Sequence, residues 1–105
     1  MTQSSAEKFA TLVDTLVSYT DGRVQRINST SIKTSGKMFA WLKGDRLALK
    51  LPAARVQGLV DEGRGELLDP GDGRLQKGWL VLSSATLDEW LTLAKEAERS
   101  ISAKG

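Results

Sequence analysis

Lys37, Phe39, Trp41 and Lys43 alternate along one segment, and Arg46 and Lys50 follow across a turn. Aromatic rings interleaved with cations on one sheet face can stack bases and hold phosphates. The same pattern can also dock a protein ligand, because exposed aromatic patches mark interaction surfaces. Arg74 and Lys77 stand beside the glycine-containing stretch Asp69-Pro70-Gly71-Asp72-Gly73. Backbone amides and cations in such a loop can grip an anion, although loop glycines commonly serve turn geometry alone. Asp69 and Asp72 form a carboxylate pair of the type used in acid–base work. Nothing in their neighbourhood promises the apolar cleft that would shift their titration.

Other chemistry is excluded by residue type. The chain contains no histidine and no cysteine. It therefore has no imidazole base, no thiol nucleophile, no disulfide and none of the usual zinc ligand sets. A calcium loop counted from Asp69 would need an oxygen ligand at its fifth position and a glutamate at its twelfth. Those positions hold Gly73 and Leu80. Gly63-Arg64-Gly65 and Gly71-Asp72-Gly73 each begin like a dinucleotide motif, but Leu68 and Gln76 occupy the place of the third glycine. No enzyme activity, cofactor or metal is expected, and binding is left as the task.

The charge distribution points the same way. The 105 residues carry a net charge of +2, but residues 23–55 hold eight bases against the single acid Asp45, a local +7. Such a basic third could form one positive face, or it could be ordinary strand-surface solubility. The open question for Phe39 and Trp41 is whether a helix or a dimer partner covers them. Trp79 and Trp90 sit in apolar patterns and read as core anchors. Lys50 over Phe39 is a candidate cation–π pair. No apolar run approaches the length of a membrane span. No signal peptide is expected at the N-terminus, and a cytoplasmic location follows as the expectation.

Elements must position these residues. A helix is predicted from Ser5 to about Tyr19, with Ser4 and Glu7 at capping-box spacing and Asp21-Gly22 as its end. Phe9, Leu12, Val13, Leu16 and Val17 share its apolar face. Residues 24–51 read as strands. Gly44-Asp45 suits a type II′ turn that sets Lys43 opposite Arg46, Leu42 opposite Leu47, Trp41 opposite Ala48 and Ala40 opposite Leu49. Continued in register, this places Phe39 opposite Lys50 and Met38 opposite Leu51. A three-residue loop Thr34-Ser35-Gly36 would set Lys33 opposite Lys37 and bring Ile32 to the apolar face. Asn28-Ser29-Thr30-Ser31 interrupts the strand before it.

Pro52 opens a second helix with Val56, Leu59 and Val60 inward and Gly63 as its stop. Gly58 within it suggests a close packing contact. Glu66-Leu67-Leu68 and Gly78–Leu82 read as strands. A final helix starts near Thr86, with Leu87, Trp90, Leu91, Ala94, Ala97 and Ile101 as its apolar stripe. The whole chain is one domain of α+β class, an antiparallel sheet with helices in the order α-β-β-β-α-β-β-α.

Two stretches carry a family resemblance. Gly36-Lys37-Met38-Phe39-Ala40-Trp41-Leu42 followed by Asp45–Pro52 resembles the core hairpin of TfoX N-terminal-domain proteins of the TfoX/Sxy family and of the related MmcQ/YjbR proteins. Leu68–Trp79 is similar to their loop and Lys-x-Trp strand. The first strand departs from the family's Arg-Met-Phe-Gly-Gly, since Ile27-Asn28-Ser29-Thr30 follows Arg26. The resemblance implies a secretion-chaperone-like fold, no enzymatic activity, and a regulatory or DNA-associated role. The combined expectation is a regulatory or adaptor module acting by macromolecular binding, with direct nucleic-acid binding as the alternative. The expected contact residues are Lys37, Phe39, Trp41, Lys43, Arg46, Lys50, Arg74 and Lys77. A protein partner, a nucleic acid or a second copy of the chain are the partners considered.

Overall fold

The computed structural model describes residues 4–68, 76–82 and 86–103, without the side chains of Gln76, Lys77 and Ala103. The elements run α1 (Ser5–Tyr19), β1 (Val24–Asn28), β2 (Ser31–Thr34), β3 (Lys37–Lys43), β4 (Arg46–Lys50), α2 (Ala53–Asp61), β5 (Gly65–Leu68), β6 (Gln76–Leu82) and α3 (Leu87–Ala103). This is the expected α+β class. The polar interruption at Asn28–Ser31 is a turn at Ser29-Thr30 that divides the first strand region into β1 and β2. All six strands form one antiparallel sheet in the order β1-β2-β3-β4-β6-β5. The first four strands are a meander. The chain then passes through α2 to the far edge, lays down β5, and returns as β6 between β5 and β4.

Local chemistry starts the helices where the residue pattern places them. Ser4 Oγ accepts from the Glu7 amide at 3.1 Å while the Ser4 amide donates to Glu7 Oε1 at 3.3 Å, a complete capping box. Phe9, Leu12, Val13 and Leu16 of α1 are buried, whereas Val17 stays exposed. Pro52 caps α2, which buries Val56 and Leu59. Trp90, Leu93, Ala94 and Ala97 of α3 complete the helix contribution to the main core. The inner sheet side supplies Val24, Ile32, Phe39, Ala40, Leu47, Leu49, Leu80 and Leu82 to the same cluster. Trp90 is thus a core anchor, as its pattern implied.

Gly58 does not make the close contact expected of it. A Cβ built there meets nothing within 4 Å. Its substitution by alanine should remove backbone entropy from the unfolded chain at no steric cost, raising stability by about 0.5–1 kcal/mol. Urea unfolding checks this; a lowered midpoint would show that the site is packed after all.

The β3–β4 hairpin has the predicted register from Ala40–Leu49 to Lys43–Arg46. Gly44 has φ +62° and Asp45 has no positive φ, as a type II′ turn requires. Upstream the register differs. Ser35 (φ 52°) and Gly36 (φ 77°) both lie in the left-handed region, so they form a two-residue type I′ turn. Thr34, and not Lys33, therefore stands opposite Lys37. A second irregularity follows directly. Adjacent residues Ile32 and Lys33 pair with Ala40 and Met38, which leaves Phe39 as the extra residue of a β-bulge. Phe39 and Ala40 consequently both face the helices. Phe39 is fully buried and Met38 is 39% exposed on the other side, the reverse of the expectation for each.

α3 is tied to the rest by three arginine–glutamate pairs. Arg23 Nε and Nη2 donate to Glu98 Oε2 and Oε1 at 2.7 and 3.1 Å. Arg55 Nε and Nη2 donate to Glu96 at 2.7 and 3.2 Å, and Arg64 Nε and Nη2 both donate to Glu89 Oε1 at 2.9 and 2.6 Å. Each glutamate raises the titration point of its arginine chiefly through the side-chain hydrogen bond. Two members of the basic third, Arg23 and Arg55, therefore serve the fold and do not contribute to a free positive face.

Candidate functional site

The sheet has one side without a helix among the described residues. The apolar helix residues that are buried all belong to the main core cluster. A second cluster, Ala48, Leu68 and Val81 with Trp41 and Trp79 packed against it, is built from strands alone. Strand alternation explains the separation: Leu47, Leu49, Leu80 and Leu82 point to the helices, so Ala48, Val81 and Trp79 point away.

Register assembles the surface. Trp41 pairs with Ala48, Ala48 with Val81, and Val81 with Glu66, giving one row across four strands. Beside this row Lys50 pairs with Trp79, and Lys43 with Arg46. Trp41 and Trp79 are on strands separated by β4 and offset by two residues, so their Cα atoms lie about 12 Å apart. Ala48 is fully buried beneath two partly buried indoles. Lys50 Nζ lies 5.7 Å from the Trp79 ring centroid, a cation–π contact with this ring and not with Phe39. Arg46 Nη1 lies 3.6 Å from Glu66 Oε1. These two residues with Lys43, Leu67 and Val81 line a shallow pocket of about 270 Å³. It is smaller than the roughly 300–1,000 Å³ usual for small-molecule sites.

Of the residues expected to form the contact surface, Trp41, Lys43, Arg46 and Lys50 are brought together. Phe39 is removed to the core by the bulge. Lys37 is exposed but leaves the face too, because its partner Thr34 is an inner-side residue. Arg74, Asp69, Asp72 and the Lys77 side chain lie outside the described residues. Two residues join the face unannounced. Met38 pairs there with Lys33, which was expected on this face though opposite Lys37, and Trp79, expected in the core, is part of it. The alternation Trp79-Leu80-Val81-Leu82 held the signal for Trp79. Only the pairing of β6 with β4 decides which half of that alternation meets the helices.

Among the described residues, cations Lys33, Lys43, Arg46 and Lys50 share this face with the single acid Glu66. No protein-family model, curated protein or solved structure significantly matches the chain. A larger depression of about 530 Å³ runs along α3, lined by Asp88, Leu91, Thr92, Lys95, Glu96 and Arg99. Its charges alternate in sign, and Glu96 is already held by Arg55. Among the described residues no three carboxylates gather where they could hold a metal ion, and no helix is long and apolar enough to cross a membrane.

Proposed function

We propose that this chain is a non-enzymatic regulatory or adaptor module that binds a macromolecule across the helix-free face of its sheet. In this reading its architecture is the secretion-chaperone-like fold of TfoX N-terminal and YjbR-like proteins, which the Gly36–Leu42 and Asp45–Pro52 stretches resemble. The observation that carries the reading is the second apolar cluster. Trp41 and Trp79, both partly exposed, pack over the buried Ala48, Leu68 and Val81 on the side of the sheet that no described helix covers. Contiguous apolar surface with a polar rim marks an interaction site. A flat patch with a shallow pocket suits a broad partner better than a small substrate.

A second reading, in which the macromolecule is a nucleic acid, is favoured by the excess of cations around the two indoles. A photo-crosslinking amino acid placed at Met38, on the open face, tests both. It should capture a partner in cells that the same amino acid at Asp14, on exposed α1, does not. A product that nuclease trims back to nearly the mass of the chain names a nucleic acid, and a nuclease-resistant product names a protein. Equal yields at the two positions would end the proposal that this face is the binding surface.

A further inference from the structure

We propose that the helix-free face takes single-stranded nucleic acid in preference to duplex, with unpaired bases stacked on Trp41 and Trp79 and phosphates held by Lys33, Arg46 and Lys50. This rests on the nucleic-acid reading above and goes on to specify the strandedness. Charge argues first. The described cations of the face outnumber its acids, and the one acid, Glu66, is engaged by Arg46. A two-fold dimer through this face would set the same patch against itself and bring these cations together. The surface is therefore complementary to a polyanion and poorly suited to a second copy.

Shape argues next. From β2 to β5 the face is five strands wide, about 19 Å at the usual strand spacing. The major groove of duplex DNA, about 12 Å wide, admits a helix or a two-stranded ribbon. A sheet face of this width meets a duplex only at its backbone, and the bases of a duplex offer no free ring faces. A single strand can instead lie on the sheet and turn its bases onto aromatic rings, a contact worth about 1–3 kcal/mol per base. The Cα atoms of the two tryptophans lie about 12 Å apart, several times the ~3.4 Å rise of a stacked strand. Trp41 and Trp79, on strands separated by β4, each receive a separate base.

The test uses the full chain and fluorescein-labelled oligonucleotides of about 12 nucleotides, within the size range of single-strand sites. The probes are a mixed-sequence single strand, its duplex, and an abasic strand of the same charge. Anisotropy should show the single strand bound at least about tenfold tighter than either control. Trp41→Leu and Trp79→Leu keep apolar volume without the stacking ring, and each should weaken it by about tenfold. Lys50→Glu should weaken all three probes. With three phosphates engaged, raising salt from about 50 to about 200 mM should cost about 20-fold. Far-ultraviolet circular dichroism and the urea midpoint verify that each variant is folded. Equal affinity for the intact and abasic strands, or for the duplex, overturns base stacking while leaving nucleic-acid binding in place. No binding of any oligonucleotide at low salt overturns both readings. Poly-glutamate binding as tight as the single strand overturns the proposal in favour of an acidic protein partner.

Discussion

Phe39→Ala should cost about 3–5 kcal/mol of folding stability, the usual range for emptying a fully buried aromatic site. Met38→Ala beside it should cost little, because Met38 is 39% exposed. The contrast tests the bulge directly. In an unbroken strand Phe39 would share the open face with Trp41, and its truncation would be mild. In the structure Phe39 packs with α1, α3 and the inner strands in one cluster. Phe39→Leu retains much of the volume and should lose no more than about 1.5 kcal/mol, so the site remains measurable if the alanine variant is mostly unfolded. Urea midpoints of the three variants decide. A Phe39→Ala loss below that of Met38→Ala would refute the bulged register and return Phe39 to the binding face.

The bulge also marks where the sequence stopped being legible. The capping box at Ser4–Glu7, the turn at Gly44-Asp45 and the pairing of Trp41 with Ala48 were readable because each depends on residues a few positions apart. Lys37 and Phe39 were placed by extending that alternation backward. One left-handed serine at the Ser35-Gly36 turn and one extra residue in β3 broke the extension. Both departures shift the register in the same direction, by one residue each, so Ile32 keeps the inner face as expected and only Lys37, Met38 and Phe39 of β3 change sides. Trp79 was illegible for a different reason. Its orientation depends on β6 settling beside β4, a contact between segments about thirty residues apart, and no local pattern encodes it.

The basic third shows the same limit in its electrostatics. Counting charges along residues 23–55 suggested one positive surface. Arg23 and Arg55 are instead directed to acids on α3, while Arg46 and Lys50 pair with Lys43 and Trp79 in the register of the open face. The acidic final segment is therefore the internal counterpart of part of the basic one. What remains for a partner is a smaller set of cations around two indoles, and this concentrates the functional argument on Trp41, Trp79, Arg46 and Lys50.

Glu98 carries the largest electrostatic consequence of that pairing. Its side chain is 2% exposed and accepts hydrogen bonds from Arg23, from Thr34 Oγ1 at 2.8 Å and from the Ser102 hydroxyl. The Arg23 hydrogen bonds lead the effect. Helped by Ser102 and Thr34 and opposed by burial, they hold the carboxyl at about 2, below its ordinary 4.5. A carboxyl depressed on folding stabilises the native state fully above the unfolded value. That contribution is lost as pH falls from about 4.5 through about 2. It amounts to roughly 2–3 kcal/mol once screening at the half-exposed Arg23 is allowed for. Glu98→Gln keeps the shape and removes the charge, so it should lower stability at pH 7 by about that amount. Between about pH 5 and pH 2 the wild-type protein should lose roughly 2–3 kcal/mol more than the variant does. Urea unfolding of both proteins across this range measures the difference. Parallel pH curves would mean that Glu98 titrates normally and that the Arg23 pair does not anchor α3 to the sheet.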